Sequence, residues 1–167
     1  MKQQLLKKIE EKSITVGVVG LGYVGLPLVV EKAKAGFKTI GFDVQDEKVK
    51  LVNEGHNYIG DVVDSDLKEL VESKMLTATT DFSFVKDVDF VAICVPTPLD
   101  THQQPDISYV KSSTEAISKY LTKGTMVVLE STTYPGTTEE LIKPILEEGS
   151  GLKCGEDFLF RILARTC

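Results

Sequence analysis

The stretch Ile14-Thr-Val-Gly-Val-Val-Gly-Leu-Gly-Tyr-Val-Gly25 decides the fold predicted for this chain. Its first half, Ile14 to Val19, is a continuous run of strand-forming residues, which is typical of a strand buried on both faces. Three glycines follow at once, and a helical pattern begins behind them. The stretch therefore predicts a strand, a tight turn and a helix in immediate succession, as at the start of a parallel α/β sheet.

Helical and strand-like patterns alternate along the rest of the chain, and Gly36, Gly55 and Gly124 stand where predicted helices end. The predicted helices cover residues 26–35, 46–54, 65–73, 106–122 and 137–148, and the predicted strands cover 14–19, 38–44, 75–79, 88–95, 125–130 and 158–163. Pro144 is expected to kink the last helix. The alternation predicts an α/β fold, a Rossmann-type doubly wound parallel sheet in three αβα layers, with ligands at the carboxyl ends of the strands.

Residues 2–12 place Leu5, Leu6 and Ile9 among Lys, Gln and Glu, a pattern typical of a short amphipathic helix. We interpret residues 1–13 as a helical extension on the surface, outside the main fold, and residues 14–167 as one domain. A length of 167 residues is enough for one domain with its own core.

Charge and composition exclude several classes of partner. The net charge is −6, and the 19 Lys and Arg residues form no basic block, so we expect no nucleic acid partner. No apolar run approaches the roughly 18 residues of a spanning helix, and the N-terminus lacks the apolar region of a signal peptide, so we expect no membrane and a cytoplasmic location. Cys94, Cys154 and Cys167 show no CxxC spacing, which predicts free thiols and no metal site.

The glycine turn Gly20-Leu-Gly-Tyr-Val-Gly25 carries the strongest chemical signal. In a dinucleotide-binding fingerprint, Gly20 allows the turn, Gly22 admits the pyrophosphate and Gly25 lets the helix pack closely. The pyrophosphate would accept hydrogen bonds at the N-terminus of the helix. The alternative is a plain glycine turn, but the strand before it and the helix behind it favour cofactor binding.

Asp43 ends the second predicted strand, 18 residues beyond Gly25, where the fingerprint places an acidic residue that binds the adenosine ribose. A carboxylate there would repel a 2′-phosphate, which predicts NAD rather than NADP. The alternative is that Asp43 only caps the helix that begins near Gln45 or Asp46. The loops Val95-Pro-Thr-Pro98 and Glu130 to Thr138 also leave the carboxyl ends of strands, and either binding or turn chemistry explains them equally well.

Six stretches occur in the order of a known family: VGVVGLGYVGLP, GFDV, ICVPTPLD, QPDISYV, VVLESTTYPGTTEE and SGLKCGEDF. Over about residues 14–160 the chain resembles the N-terminal domain of the UDP-sugar 6-dehydrogenases, and most of all the UDP-N-acetylglucosamine type. The resemblance implies an NAD-dependent oxidation of the sugar C6 alcohol to the uronic acid, through a cysteine thiohemiacetal and thioester. It also implies a cofactor site built from Gly20, Gly22, Tyr23, Val24, Gly25, Asp43, Lys48, Thr97 and Thr132. Thr132 would lie near the nicotinamide and a catalytic water, whereas a solvated lysine is the alternative for Lys48.

Two features of the sequence suggest that the substrate half of such an enzyme is missing. The family's nucleophilic cysteine belongs to a glycine-rich motif that these 167 residues do not contain. In addition, Phe160 to Cys167 can be encoded so that the neighbouring reading frame spells the family motif Ser-Pro-Glu-Arg, and we expect a one-base frameshift that the gene sequence would reveal. We therefore expect the chain alone to be inactive on UDP-sugars. The rival interpretations are a stand-alone NAD-binding module and another dehydrogenase of the β-hydroxyacid type.

Overall fold

A computed structural model describes residues 2–130 and 137–163 of the chain. In this part of the chain, six parallel strands form one sheet in the order β3-β2-β1-β4-β5-β6. The strands are β1 (Thr15–Val19), β2 (Lys38–Phe42), β3 (Leu76–Thr79), β4 (Phe90–Ile93), β5 (Met126–Leu129) and β6 (Leu159–Ile162). The helices are α1 (Lys2–Glu10), α2 (Gly25–Lys34), α3 (Asp46–Asn53), α4 (Asp64–Glu72), α5 (Ser108–Ser118) and α6 (Thr137–Ser150). This strand order confirms the predicted doubly wound Rossmann-type fold.

Helices cover the sheet on both faces, which is why the central strands β4 and β5 contain only apolar residues. Val16 and Val18 of β1 pack on one face with residues of α2, whereas Val19 belongs to the opposite core. That second core contains Phe158 and side chains from α5 and α6. Successive residues of a strand point to opposite faces, so a continuous apolar run is what a covered sheet requires.

Strand β1 lies between β2 and β4, and this position creates the cleft of the molecule. Val18 pairs with Gly41 of β2 on one side and with Ala92 of β4 on the other. The chain crosses to one face of the sheet after β1 and to the other face after β4, so the two connections separate at the carboxyl ends of these strands. In open α/β sheets ligands bind at this switch point.

Most predicted elements are confirmed within a few residues, and Gly36 and Gly55 follow helices as predicted, with φ of +95° and +75°. The prediction for Gly124 is wrong, because α5 already ends at Ser118. Strand β2 is shorter than predicted and ends at Phe42. The chain turns there because the carboxylate of Asp43 accepts the N–H of Gln45 at 2.9 Å. A 3₁₀ helix at Phe82–Asp87 was not predicted, and the side chain of Asp81 accepts the N–H of Ser83 at its start. Pro144 lies inside α6.

Helix α1 forms as predicted, but it does not lie outside the core. Leu5 is buried in the same apolar cluster as Val16 of β1. Lys8 Nζ lies 3.0 Å from Asp89 Oδ1, and Asp89 Oδ2 accepts the N–H of Thr15 at 3.0 Å. One carboxylate therefore links α1 to the first residue of β1, and the expectation of a separate surface extension is corrected.

Helices long and apolar enough to cross a membrane do not occur between residues 2 and 130 or between 137 and 163. Over the same ranges, no group of three or more His, Cys, Asp or Glu side chains is arranged to hold a metal ion. Cys94 and Cys154 are not joined in a disulfide, and Cys167 lies outside the described residues.

Candidate cofactor-binding site

A cleft of about 530 Å³ opens at the carboxyl ends of the central strands. It is bounded by the glycine turn after β1, the end of β2, the loop after α3, and the loops that follow β4 and β5. Its described lining comprises Gly20, Gly22, Tyr23, Val24, Asp43, Lys48, Tyr58, Ile59, Cys94, Val95, Pro96, Thr97 and Glu130. Most of the residues predicted as a cofactor site are therefore gathered around one space.

Gly20 and Gly25 are glycines because backbone atoms stand where a Cβ would lie, those of Cys94 at Gly20 and those of Gly20 at Gly25. Gly20 has φ +94°, and a Cβ there would lie 2.9 Å from the carbonyl oxygen of Cys94. A Cβ on Gly25 would lie 1.5 Å from the carbonyl oxygen of Gly20. Gly25 is not among the residues that line the cleft, so its part in the site is to let α2 begin directly against the turn.

Gly22 is a glycine for a different reason. It lines the cleft, and a Cβ built on it would have no heavy atom within 4 Å. The protein itself therefore leaves room for a side chain at this position. The fold therefore does not require glycine at position 22. A bound pyrophosphate would require it, because its oxygens approach the backbone here and leave no space for a Cβ. On this observation the turn fits a dinucleotide.

The start of α2 presents backbone to the same space. Val24 is the N-cap residue and makes no side-chain capping hydrogen bond, while Tyr23 is 83% exposed. A helix N-terminus concentrates N–H donors and the positive end of the helix dipole. Together with the open space at Gly22, this geometry suits an anionic group.

Asp43 is buried at the end of β2, and its carboxylate contacts two parts of the backbone. Oδ2 accepts the N–H of Leu21 and Oδ1 accepts the N–H of Gln45, each at 2.9 Å. The N-cap residue of α3 is Gln45, so Asp43 is not the helix cap that the alternative interpretation required. Each carboxylate oxygen has a further lone pair, so Asp43 can still accept hydrogen bonds from a ligand in the cleft.

The remaining predicted residues differ in how the structure places them. Lys48 is half-buried on α3 and lines the cleft with Asp43, and Thr97 lines it from the loop after β4. Thr132 lies outside the described residues, so its predicted place beside the nicotinamide stays a prediction.

Sequence reasoning missed one wall of the cleft, which consists of Tyr58 and Ile59. The hydroxyl of Tyr58 donates to the carbonyl of Leu21 at 2.6 Å. The loop is shaped by Asn57, whose Oδ1 accepts the N–H of Ile59 and whose Nδ2 donates to the carbonyls of Ile59 and Val62. No motif spacing marks this loop, and a tyrosine in a polar stretch was the only signal available.

Burial and the negative charge of Asp43 both raise the pKa of Tyr58 well above the ordinary value of a phenol. Both causes disfavour the phenolate. Tyr58 therefore remains a hydrogen-bond donor to Leu21 over the whole physiological pH range.

Three features define a dinucleotide-binding Rossmann domain: the backbone donors of the glycine turn, the buried carboxylate at the end of the second strand, and the cleft at the switch point. Residues 14–164 match the NAD binding domain of the UDP-glucose/GDP-mannose dehydrogenase family, and the chain belongs to that family. This confirms the resemblance inferred from the sequence motifs.

The chain is similar to several nucleotide-sugar dehydrogenases. It is 42% identical over 147 residues to the UDP-N-acetyl-D-glucosamine 6-dehydrogenase of Pseudomonas aeruginosa, covering 88% of this chain and 34% of that protein. It is 35% identical over 144 residues to the UDP-N-acetyl-D-mannosamine dehydrogenase of Pyrococcus horikoshii, covering 86% and 34%. The crystal structure of the NDP-N-acetyl-D-galactosaminuronic acid dehydrogenase of Methanosarcina mazei Go1 superimposes with a TM-score of 0.83 at 34% identity, covering 97% of this chain and 37% of that one. The chain thus spans about a third of the length of the curated relatives it matches.

Proposed function

We propose that this chain is the NAD-binding part of a nucleotide-sugar dehydrogenase that oxidises the C6 alcohol of UDP-N-acetylglucosamine to the uronic acid. The proposed binding of NAD rests on one observation, the open space at Gly22 beside the buried carboxylate of Asp43. The similarity to the Pseudomonas aeruginosa enzyme supports the choice of sugar. UDP-N-acetylmannosamine and UDP-glucose are the alternative substrates.

In this proposal each part of the cleft holds one part of NAD. Backbone N–H groups of Gly22, Tyr23 and Val24 bind the pyrophosphate, and Asp43 accepts hydrogen bonds from the adenosine ribose. Lys48 lies beside that ribose, while Thr97 and Thr132 lie along the cofactor toward the nicotinamide. When bound, NAD supplies the hydride acceptor for the alcohol carbon.

Asp43 would decide the choice between NAD and NADP. Its carboxylate is buried at the edge of the cleft, and a 2′-phosphate would have to approach this negative charge. Charge repulsion at a few ångströms is weakly screened in a partly buried site. Calorimetric titration of the chain with each cofactor tests this directly: NAD is expected to bind and NADP to bind at least about tenfold more weakly. Equal affinities would overturn the assignment of Asp43.

The complete reaction is proposed for the whole protein, and we propose that it takes place in the cytoplasm. The alternative for these residues is an NAD-binding module without chemistry, and the two cysteines among the described residues favour it. Cys94 is buried, and burial raises the pKa of the Cys154 thiol, so neither suits the thiolate nucleophile that the family chemistry needs.

One assay separates these possibilities. NADH absorbance is followed with UDP-N-acetylglucosamine, UDP-N-acetylmannosamine and UDP-glucose, first with the 167-residue chain and then, where the gene sequence bears out the expected frameshift, with the protein of the restored reading frame. We expect NAD binding without turnover from the chain and turnover of the first sugar by the restored protein. Turnover by the chain itself would contradict the division of the site, and inactivity of the restored protein on all three sugars would contradict the proposed substrate class.

A further inference from the structure

Leu21 lies between the first two glycines of the turn, and both of its backbone polar groups are held by side chains from other parts of the fold. Its N–H is bound by Asp43 at 2.9 Å, and its carbonyl oxygen by the hydroxyl of Tyr58 at 2.6 Å. The Leu21 side chain is fully buried. The residue therefore contributes backbone orientation to the turn and no side chain to the cleft.

The two hydrogen bonds hold different peptide planes. The N–H of Leu21 shares a plane with the carbonyl of Gly20, and in a trans peptide these groups point in opposite directions. Asp43 therefore also sets the direction of the Gly20 carbonyl, which faces the tight contact with Gly25. The carbonyl of Leu21 shares its plane with the N–H of Gly22, so the contact with Tyr58 sets the direction of that N–H.

We propose that Tyr58 is a positioning residue for the pyrophosphate site: its hydroxyl orients the Leu21–Gly22 peptide so that the Gly22 N–H is directed at the anion before the cofactor arrives. This inference rests on the proposed NAD site. Without the hydroxyl, the Leu21–Gly22 peptide is held less firmly on its Gly22 side, because glycine imposes little steric restriction on its own backbone. The donor would then have to be ordered by the ligand, at a cost in affinity.

The loop that carries Tyr58 is rigid enough for this role. Asn57 makes hydrogen bonds to Ile59 and Val62 within the loop, and its own N–H is accepted by Asp64 at the start of α4. Ile59 and Val62 are buried in the apolar core beneath the loop. The phenol is thus presented from a packed segment. The raised pKa of Tyr58 keeps it protonated as the donor.

Three variants test the proposal by calorimetry with NAD and by NMR titration with adenosine, which lacks the pyrophosphate. Tyr58→Phe removes only the hydroxyl, Tyr58→Leu also removes the ring, and Tyr109→Phe is the control on an exposed tyrosine of α5. We expect Tyr58→Phe to weaken NAD binding about 5- to 20-fold, the range that one lost buried hydrogen bond corresponds to, and to change adenosine binding less than twofold. Tyr109→Phe should change neither affinity.

The amide resonance of Gly22 gives a second measurement that needs no ligand. In Tyr58→Phe this resonance should shift or broaden, while the amide spectrum away from the turn stays unchanged. An equal loss of NAD and adenosine affinity would indicate a general structural role and overturn the proposal, as would loss in Tyr58→Leu but not in Tyr58→Phe. If the unmodified chain binds no NAD, the proposed function is wrong. The role of Tyr58 is tested separately, because an unchanged Gly22 amide resonance in Tyr58→Phe would reject it whether or not NAD binds.

Discussion

The carboxylate of Asp43 and the backbone N–H of Leu21 are joined by a 2.9 Å hydrogen bond across 22 positions of the chain. This contact ties the end of β2 to the turn that follows β1. An acidic residue at this place therefore has a structural task in the protein itself, besides the ribose contact proposed for it.

Asp43→Asn should reduce stability as well as cofactor binding. Asparagine keeps one acceptor oxygen, so either the Leu21 or the Gln45 N–H would face an amide NH₂ instead of an oxygen. A buried donor without an acceptor costs about 1–3 kcal/mol, and we expect the free energy of unfolding in urea to fall by about that amount. Asp87→Asn, on an exposed aspartate, removes the same charge and should change stability by less than about 0.5 kcal/mol. Equal stabilities of the two variants would contradict the role given to Asp43.

Gly22→Ala and Gly25→Ala should separate binding from folding. At Gly22 the added methyl group meets no protein atom, so the fold should keep its stability while NAD affinity falls at least about tenfold. At Gly25 the methyl group would meet the Gly20 carbonyl 1.5 Å away. Alanine gains about 1 kcal/mol over glycine in a helix, whereas an overlap costs about 1–3 kcal/mol. Because the overlapping atom is backbone and cannot rotate away, we expect the upper end of that range and a net loss of stability. Thermal unfolding followed by circular dichroism measures the second effect, and a Gly25→Ala chain of native stability would show that the turn can relax.

Leu5→Ala and Leu6→Ala should show that α1 is part of the domain. Leu5 is 6% exposed and Leu6 is 49% exposed, although they are neighbours on one helix. Truncating a buried leucine costs about 2 kcal/mol or more, whereas a half-exposed one costs little. Urea unfolding should therefore place Leu5→Ala well below the unmodified chain and Leu6→Ala close to it. If both variants match the unmodified chain, α1 does not contribute its buried face to the core in solution.

Alkaline pH should destabilise the unmodified chain more than the Tyr58→Phe chain. The pKa of Tyr58 is raised in the folded state, whereas a tyrosine in the unfolded chain titrates near pH ~10. Above that pH the folded state binds more protons than the unfolded state, so the free energy of unfolding falls as the pH rises. Urea unfolding at a series of pH values from 8 to about 11, compared between the two chains, measures the difference. Parallel pH profiles would mean that the phenol is not protected by burial.

The parts of the fold that the sequence predicted are those encoded locally. The apolar run at Ile14 to Val19 and the glycines behind it give β1, the turn and the start of α2, because strand burial and backbone freedom depend on the residues themselves. Gly36 and Gly55 mark helix ends for the same reason, with the positive φ that glycine permits.

The parts that were missed depend on contacts between distant segments. Leu5 is buried because α1 packs against the apolar cluster that contains Val16 of β1. Lys8 of the same helix donates to the carboxylate of Asp89, which is 81 positions away in the sequence. Tyr58 belongs to the site because its loop folds back onto Leu21, 37 positions away. Contacts between segments so far apart produce no local pattern in the sequence. Gly22, Asp43 and Thr97 could be placed in the site because they belong to recurring motifs whose positions in the fold are known.

The order of the lining residues along the chain has a consequence for biosynthesis. Of the described residues around the cleft, Glu130 alone comes from beyond residue 97. Both neighbours of β1 in the sheet, β2 and β4, also precede that point. A growing polypeptide leaves the ribosome N-terminus first at about 5–20 residues per second, so these walls emerge several seconds before β6 does. A small molecule that fits between them would stabilise the nascent half-domain by mass action while the remainder is still being translated.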